Sequence, residues 1–99
     1  MGCYKYDIEY YGSSLWLGEP GPERDAMAAS LEAFVAERLS EKFPDHNVVS
    51  EVYARKTPCV ITDDPNLDGD ELYRYIEIEL MWEWCDTHLD TKDGSLLAK

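Results

Sequence analysis

Hydrophobic and polar residues alternate in several stretches of the chain, and this period of two is typical of half-buried strands. The first stretch runs from Tyr4 to Tyr10. A second runs from Val48 to Ala54, and the short β-branched run Cys59 to Thr62 follows a Lys-Thr-Pro turn signal. We expect the last two stretches to pair as a hairpin.

The longest alternation lies in the second half of the chain. Its hydrophobic positions are Ile76, Ile78, Leu80, Trp82 and Trp84, and its acidic positions are Glu77, Glu79 and Glu83. A period of two over about ten residues predicts a strand rather than a helix. The hydrophobic side chains would then face the core, and the glutamates would face solvent.

A helix is predicted between Pro22 and Pro44. Proline suits the first helical position and also ends a helix that precedes it. Hydrophobic residues recur at helical spacing at Met27, Leu31, Phe34, Val35 and Leu39. The expected fold class is therefore α+β, a mainly antiparallel sheet of about four strands in the order β-α-β-β-β, with one amphipathic helix on one face. Residues 1–99 would form a single acidic domain, with 90–99 a frayed tail.

Charge narrows the choice of partner. The chain has 99 residues, of which 21 are acidic and 9 basic, for a formal net charge of -12. Such a chain repels nucleic acid and anionic membranes and attracts cationic surfaces. It has no apolar segment near the ~20 residues that span a bilayer. The three cysteines are widely spaced, so we expect neither a disulfide framework nor a zinc site. Free cysteines suit a reducing compartment, and we therefore expect a cytoplasmic protein.

Two acidic segments resemble ligand sites in part. Asp64, Asn66, Asp68 and Asp70 match the spacing of an EF-hand calcium loop, but Tyr75 stands where that loop needs a bidentate glutamate. A turn between two strands is the preferred interpretation, and calcium binding stays open as an alternative. Asp86, His88 and Asp90 would share a face if the last strand continued, but a polar segment leaving the sheet is the simpler interpretation. No metal site and no cofactor are predicted.

Catalysis is not expected from this sequence. Glu77 and Glu79 have the spacing of an acid and base pair, but a catalytic acid needs a buried or concave setting that raises its pKa. On the predicted strand both would be solvated. The sequence therefore predicts no catalytic residues and a protein that is not an enzyme.

The carboxylates themselves form the candidate site. If the first and last strands shared a sheet, their outward acidic residues would lie on one face. The loop from Asp63 to Glu71, which we call the acidic loop, would lie beside them, and exposed aromatic residues would lie among them. The predicted partner-binding residues are Asp7, Glu9, Asp63, Asp64, Asp68, Asp70, Glu71, Tyr75, Glu77, Glu79, Glu83 and Asp86. Tyr11, Tyr53 and Met81 are expected on the same exposed side.

These features favour a non-catalytic protein-binding inhibitor. Its acidic surface would mimic nucleic-acid phosphates and dock on a basic site of a nucleic-acid-binding protein, as a phage-encoded anti-defence (anti-CRISPR-like) inhibitor does. The same physics fits an immunity protein that covers the cationic active site of a nuclease toxin. A calcium- or metal-binding module and an oligomeric structural subunit also stay open as hypotheses. The sequence carries no motif that identifies the partner.

Overall fold

β1 (Tyr6–Ser13) is the central strand of a three-stranded sheet in the order β2-β1-β3. The computed structural model describes residues 4–54 and 56–88. β2 (His46–Tyr53) runs parallel to β1, with Tyr6 opposite His46. β3 (Cys59–Thr62) runs antiparallel to β1 on its other side. The expected hairpin is wrong, because β2 and β3 each pair with β1 and not with each other.

The parallel pair follows from the long helix between its strands. α1 (Pro22–Lys42) has 21 residues and is about 30 Å long. A helical connection returns the chain to the end of the sheet at which β1 begins, so the next strand runs in the same direction as β1. The predicted start at Pro22 is confirmed, and so is the predicted buried stripe, Met27, Leu31, Phe34, Val35 and Leu39, which Ala28 joins.

The predicted last strand is wrong: residues 69–88 are helical. α2 (Gly69–Tyr75) continues through one π-helical segment, Ile76–Leu80, into α3 (Met81–His88). The carboxylate of Asp68 caps the start of α2 by accepting a hydrogen bond from the backbone N–H of Asp70, at 2.9 Å. Gly69 packs closely against β3: a Cβ atom at this position would be only 3.1 Å from the carbonyl oxygen of Val60.

A helix buries a different subset of these alternating hydrophobic residues than a strand would. Ile76, Leu80 and Trp84 recur every four residues and are 0%, 2% and 0% exposed. Ile78 and Trp82 are 59% and 68% exposed, although the strand interpretation placed them in the core. Met81, expected on the exposed side, is buried. The period of two concealed a helical stripe because every second hydrophobic residue also fits a spacing of four.

The α+β class is confirmed. Within residues 4–54 and 56–88 the sheet is mixed and has three strands, instead of a mainly antiparallel sheet of about four, and a second helical stretch is present in addition to the one predicted helix. The core lies between the sheet and the helices, where Ile8 and Tyr10 of β1 and Val52 of β2 meet the buried helical residues. The predicted frayed tail, 90–99, lies outside the described residues. Among the helices of the described part, none has both the length and the apolar character that a membrane span requires.

Candidate functional site

One face of the sheet carries the helices, and the other presents its side chains outward. Because neighbouring residues of a strand point to opposite faces, the residues beside the buried Ile8, Tyr10 and Val52 define the outward one. We call this surface the open face. It comprises Asp7, Glu9 and Tyr11 of β1, Val49, Glu51 and Tyr53 of β2, and Ile61 of β3.

Strand pairing fixes the positions of these side chains. Glu9 of the central strand lies opposite Val49 on one side and Ile61 on the other, and Tyr11 lies opposite Glu51. Val49, Tyr53 and Ile61 are 37%, 45% and 52% exposed. The open face thus sets carboxylates among exposed hydrophobic and aromatic side chains.

Tyr11 lies between two carboxylates of this surface. Its hydroxyl donates a hydrogen bond to Oε1 of Glu9 at 2.5 Å. That bond, followed by desolvation and by the charges of Glu9 and Glu51, raises the pKa of Tyr11 to about 12. The phenol therefore stays neutral at physiological pH and serves as a hydrogen-bond donor that holds the Glu9 carboxylate in place.

Asp7 and Asp63 form an acidic corner at the edge of the open face. Oδ1 of Asp63 accepts a hydrogen bond from the backbone N–H of Asp7 at 2.8 Å. Oδ1 of Asp7 in turn accepts one from the side-chain amide of Asn47 at 3.2 Å. Both carboxylates keep further acceptor capacity for an incoming donor, since an ionised carboxylate has about four lone-pair sites.

The carboxylates of the open face form no ion pair with a basic side chain within residues 4–54 and 56–88. In this part of the chain the guanidinium of Arg38 pairs with Glu83 and the imidazole of His46 contacts Asp64, and neither contact involves an open-face carboxylate. Like charges gathered on one surface repel one another and attract cations. The open face thus combines carboxylates with exposed hydrophobic and aromatic side chains, a composition that also occurs in protein interfaces.

The predicted acidic loop instead supports the local fold. Asp64 is buried, its Oδ2 lies 2.6 Å from Nε2 of His46, and its Oδ1 accepts a hydrogen bond from the backbone N–H of Asn66 at 2.8 Å. Asp68 caps α2, and Asp70 and Glu71 lie in the first turn of that helix. Acidic residues at this end of a helix interact favourably with its dipole.

Metal ligation has no support in the described residues. No group of three or more His, Cys, Asp or Glu side chains in residues 4–54 and 56–88 is placed to hold a metal ion. Of the second candidate set, Asp86 and His88 lie on α3 and not on a strand, and Asp90 lies outside the described residues. The ring of His88 packs edge-on against Phe34, with 5.3 Å between the centroids.

The acidic residues of the last predicted strand lie on the helical side of the molecule, so they do not share a face with Asp7 and Glu9. Glu77 is half-buried, and the hydroxyls of Tyr73 and Tyr10 lie near its carboxylate. Burial raises the pKa of Glu77, and the two tyrosine hydroxyls oppose the shift in part. The expectation that Glu77 is solvated is therefore wrong.

One further carboxylate of this helix, that of Glu83, pairs with a basic residue of α1. Oε1 of Glu83 pairs with Nη2 of Arg38 at 2.7 Å. Nζ of Lys42 lies 4.9 Å from the ring centre of Tyr75, whose pKa is raised first by burial and then by the charges of Glu79 and Glu83. Asp86 is exposed on α3. This surface mixes both signs of charge, unlike the open face.

The predicted partner-binding set is thus divided between two surfaces. The structure brings Asp7, Glu9 and Asp63 together at the open face and places the rest of the set in the acidic loop or on the second helical stretch. The prediction omitted Glu51, Val49 and Ile61. The alternation of residues 48–54 already placed Glu51 and Val49 on one face, but it did not indicate that this strand is a neighbour of β1.

Comparison of the chain with protein-family models, with curated proteins and with solved structures gives no match.

Proposed function

We propose that this protein is a non-catalytic inhibitor that docks its open face on a basic site of a nucleic-acid-binding protein. The observation that supports the proposal most directly is the composition of that face. Asp7, Glu9 and Glu51 lie there and form no ion pair within residues 4–54 and 56–88, beside the exposed side chains of Tyr53 and Ile61. Protein interfaces combine aromatic anchors with a polar rim in this way.

A sheet is a suitable support for such an array of charge. Asp7 and Glu9 are two residues apart on one strand, so their attachment points are about 6.7 Å apart, and the neighbouring strand that carries Glu51 lies about 4.8 Å away. Hydrogen bonds from Asn47 and Tyr11 hold the Asp7 and Glu9 carboxylates. Groups that are already ordered lose less conformational entropy on binding. The array can therefore present negative charge at fixed spacing, as a phosphate backbone does.

The same docking would serve two biological roles. A phosphate mimic would occupy the nucleic-acid groove of a host defence enzyme, whereas an immunity protein would cover the cationic active site of a nuclease toxin. Both partners are basic, and both lose their activity when the site is covered. The identity of the bound protein distinguishes the two roles.

The experiment is affinity capture by the immobilised protein from a nuclease-treated lysate, at low salt and again at about 0.5 M salt, where surface charge is strongly screened. The proposal predicts capture of a basic nucleic-acid-processing protein that elutes with salt and whose activity the added protein inhibits. Light scattering on the purified protein accompanies it. Empty capture from such lysates, or self-association of the protein through the same face, would contradict the proposal.

A further inference from the structure

β2 lies at an edge of the sheet, and the outer side of this strand is open to another chain. β1 pairs with its inner side, and no other strand of residues 4–54 and 56–88 pairs with its outer side. β2 has eight residues, whereas strands of globular proteins commonly have about five or six. The outer side of such a strand carries a row of backbone N–H and C=O groups that can pair with a further strand.

The opposite edge of the sheet does not offer the same surface. β3 has only four residues, and α2 packs against it. The close approach of Gly69 to the carbonyl oxygen of Val60 brings the start of that helix directly onto the strand. A helix that covers an edge strand is one of the ways in which proteins block strand pairing. Of the two edges, that of β2 is therefore the better acceptor for an added strand.

The backbone hydrogen bonds of β2 show which of its residues face outward. The N–H and C=O of a strand residue point to the same side, and this side alternates from one residue to the next. The carbonyl oxygen of Tyr53 accepts a hydrogen bond from the N–H of Ser14, at the end of β1, whereas the N–H of Val52 donates to Oε2 of Glu32 on α1. Tyr53 therefore faces β1, and Val52 and every second residue before it face outward.

The outward row consists of His46, Val48, Ser50 and Val52. Its two terminal N–H groups have acceptors within the chain, since that of His46 donates to the carbonyl oxygen of Phe43 at 3.0 Å and that of Val52 to the glutamate of α1. Val48 and Ser50 lie between them and direct their N–H and C=O groups to the side of β2 away from β1. An antiparallel segment would exchange about four backbone hydrogen bonds with these two residues.

A second copy of the chain does not fit this edge. α1 packs over β2, and Glu32 of that helix reaches the outward N–H of Val52. Two copies paired through β2 would hold these strands about 4.8 Å apart. Their α1 helices would then be about equally close, although packed helices need about 8–10 Å between their axes. The occupant is therefore a segment without a helix above it, which is an extended peptide segment.

The charges beside this edge favour a basic segment. Glu51 is exposed on β2 and forms no ion pair within residues 4–54 and 56–88. β2 contains no lysine or arginine, and the net charge of the whole chain is -12. A residue directly opposite Glu51 in an added strand would lie about 5 Å away between Cβ atoms, where opposite charges attract and like charges repel. Val49, which is 37% exposed, offers a hydrophobic contact two positions further along.

We propose that β2 binds an extended, basic peptide segment of another protein, which adds antiparallel to its edge as a further strand of the sheet. Backbone hydrogen bonds to Val48 and Ser50 hold the segment, a basic side chain lies opposite Glu51, and a hydrophobic side chain lies opposite Val49. The proposal concerns the edge of the sheet, so it holds whether or not the open face docks on a nucleic-acid-binding protein.

The probe is the peptide acetyl-Thr-Lys-Thr-Val-Thr-Lys-Thr-amide, whose sequence reads the same in both directions and whose lysines share one face of a strand. Amide hydrogen exchange of the ¹⁵N-labelled full chain is measured by NMR with and without the peptide. The proposal predicts saturable binding, with exchange about tenfold slower at Val48 and Ser50 when about nine-tenths of the protein is bound. Val49 and Glu51 are internal references, because their N–H groups face β1 and are protected before the peptide binds.

Two matched peptides separate the backbone contribution from the charge contribution. Methylation of the amide nitrogens of the third and fifth peptide residues, which would pair with Ser50 and Val48, keeps every side chain and removes the N–H donors. This peptide should bind about tenfold more weakly or less. A peptide with glutamate in place of both lysines keeps the backbone donors and should bind about fivefold more weakly or less.

Two substitutions of Ser50 provide a matched pair on the protein side. Ser50→Pro removes the outward N–H without removing a hydrogen bond to β1, and proline is tolerated at such a position of an edge strand. It should weaken peptide binding about tenfold. Ser50→Ala removes only the hydroxyl and should bind the peptide like wild type. Thermal melts establish that both variants are folded, and the methylated peptide tests the same hydrogen bonds in the wild-type chain.

Four results would overturn the proposal. The first is unchanged exchange at Val48 and Ser50 in a large excess of the lysine peptide. The second is equal binding of the methylated or the glutamate peptide, which would remove the backbone or the charge argument. The third is an equal loss of binding in Ser50→Ala and Ser50→Pro. The fourth is protection of Val48 and Ser50 that depends on protein concentration without peptide, which would assign the edge to a second copy of the chain.

Discussion

Nε2 of His46 lies 2.6 Å from Oδ2 of Asp64, and the two side chains are 10% and 7% exposed. The pair joins the start of β2 to the loop between β3 and α2, across the central strand. The rings of Tyr6 and Phe43 pack around the imidazole, with centroids 5.7 and 5.4 Å away. Asp64 also accepts the backbone hydrogen bond from Asn66, so this contact organises the end of the sheet from which α2 departs.

This pair predicts a specific response to acid. The backbone hydrogen bond from Asn66, and after it the contact with His46, lowers the pKa of Asp64 below its ordinary value of 3.8, although burial opposes the shift. A lowered pKa in the folded state means that the ionised carboxylate stabilises the fold. That stabilisation is fully present above pH 3.8 and is lost as the pH falls through the lower pKa of the folded state.

Asp64→Asn should therefore reduce the free energy of unfolding at neutral pH, and the difference from wild type should shrink at strongly acidic pH. Urea denaturation across a pH series measures this difference. Asp45→Asn is the control, since Asp45 is exposed in the turn before β2. If the free energy of unfolding of Asp64→Asn stayed below that of wild type by the same amount down to the lowest pH, ionisation of this carboxylate would not stabilise the fold.

Two neighbouring tryptophans test the helical assignment of residues 69–88. Trp84 is 0% exposed, so Trp84→Ala should cost about 3–5 kcal/mol of the free energy of unfolding. Trp82 is 68% exposed, and Trp82→Ala should change it by only about 0.5 kcal/mol. Chemical denaturation of both variants gives the comparison. Equal and large losses would favour the strand, which places both side chains in the core.

The ring of Tyr10 lies across Gly12 on the buried face of β1. A Cβ at position 12 would be 2.5 Å from Oη of Tyr10 and 2.8 Å from Cζ. Gly12→Ala should therefore displace the buried ring and destabilise the fold by about 1–3 kcal/mol, the usual cost of overpacking. Thermal and urea denaturation measure this loss.

Gly21→Ala provides the control for that substitution. A Cβ at position 21 would meet no atom within 4 Å, so the variant should melt close to wild type. If Gly12→Ala were as stable as Gly21→Ala, the close packing of Tyr10 on the strand backbone would be incorrect.

Much of the fold is readable from local pattern. The stripe from Met27 to Leu39 and the proline at position 22 predict α1 correctly, and alternation predicts β1 and most of β2. These elements have a single period and clear end signals. The parallel pairing is not readable in this way, because strand direction depends on the helical crossover and not on the strands themselves.

The last helical stretch shows where such reasoning fails. Ile76, Leu80 and Trp84 satisfy a period of two and a spacing of four equally well, so alternation alone does not separate strand from helix. A start signal is nevertheless present, since Asp68 precedes a first turn that contains Asp70 and Glu71. The same misassignment placed Glu77, Glu79 and Glu83 on the sheet, so only part of the predicted partner-binding set lies on the open face.

Capture of the partner by two matched charge variants tests the central claim most directly. One variant neutralises the open face, Glu9→Gln with Glu51→Gln, and the second neutralises the helical side, Glu79→Gln with Asp86→Asn. Each removes two negative charges, so a general effect of net charge would weaken both equally. The association rate and its salt dependence are measured against the captured basic protein.

The account predicts that the open-face variant associates more slowly, with a flatter salt dependence, while the helical-side variant behaves like wild type. Loss of binding in the helical-side variant with the open-face variant unchanged would contradict it.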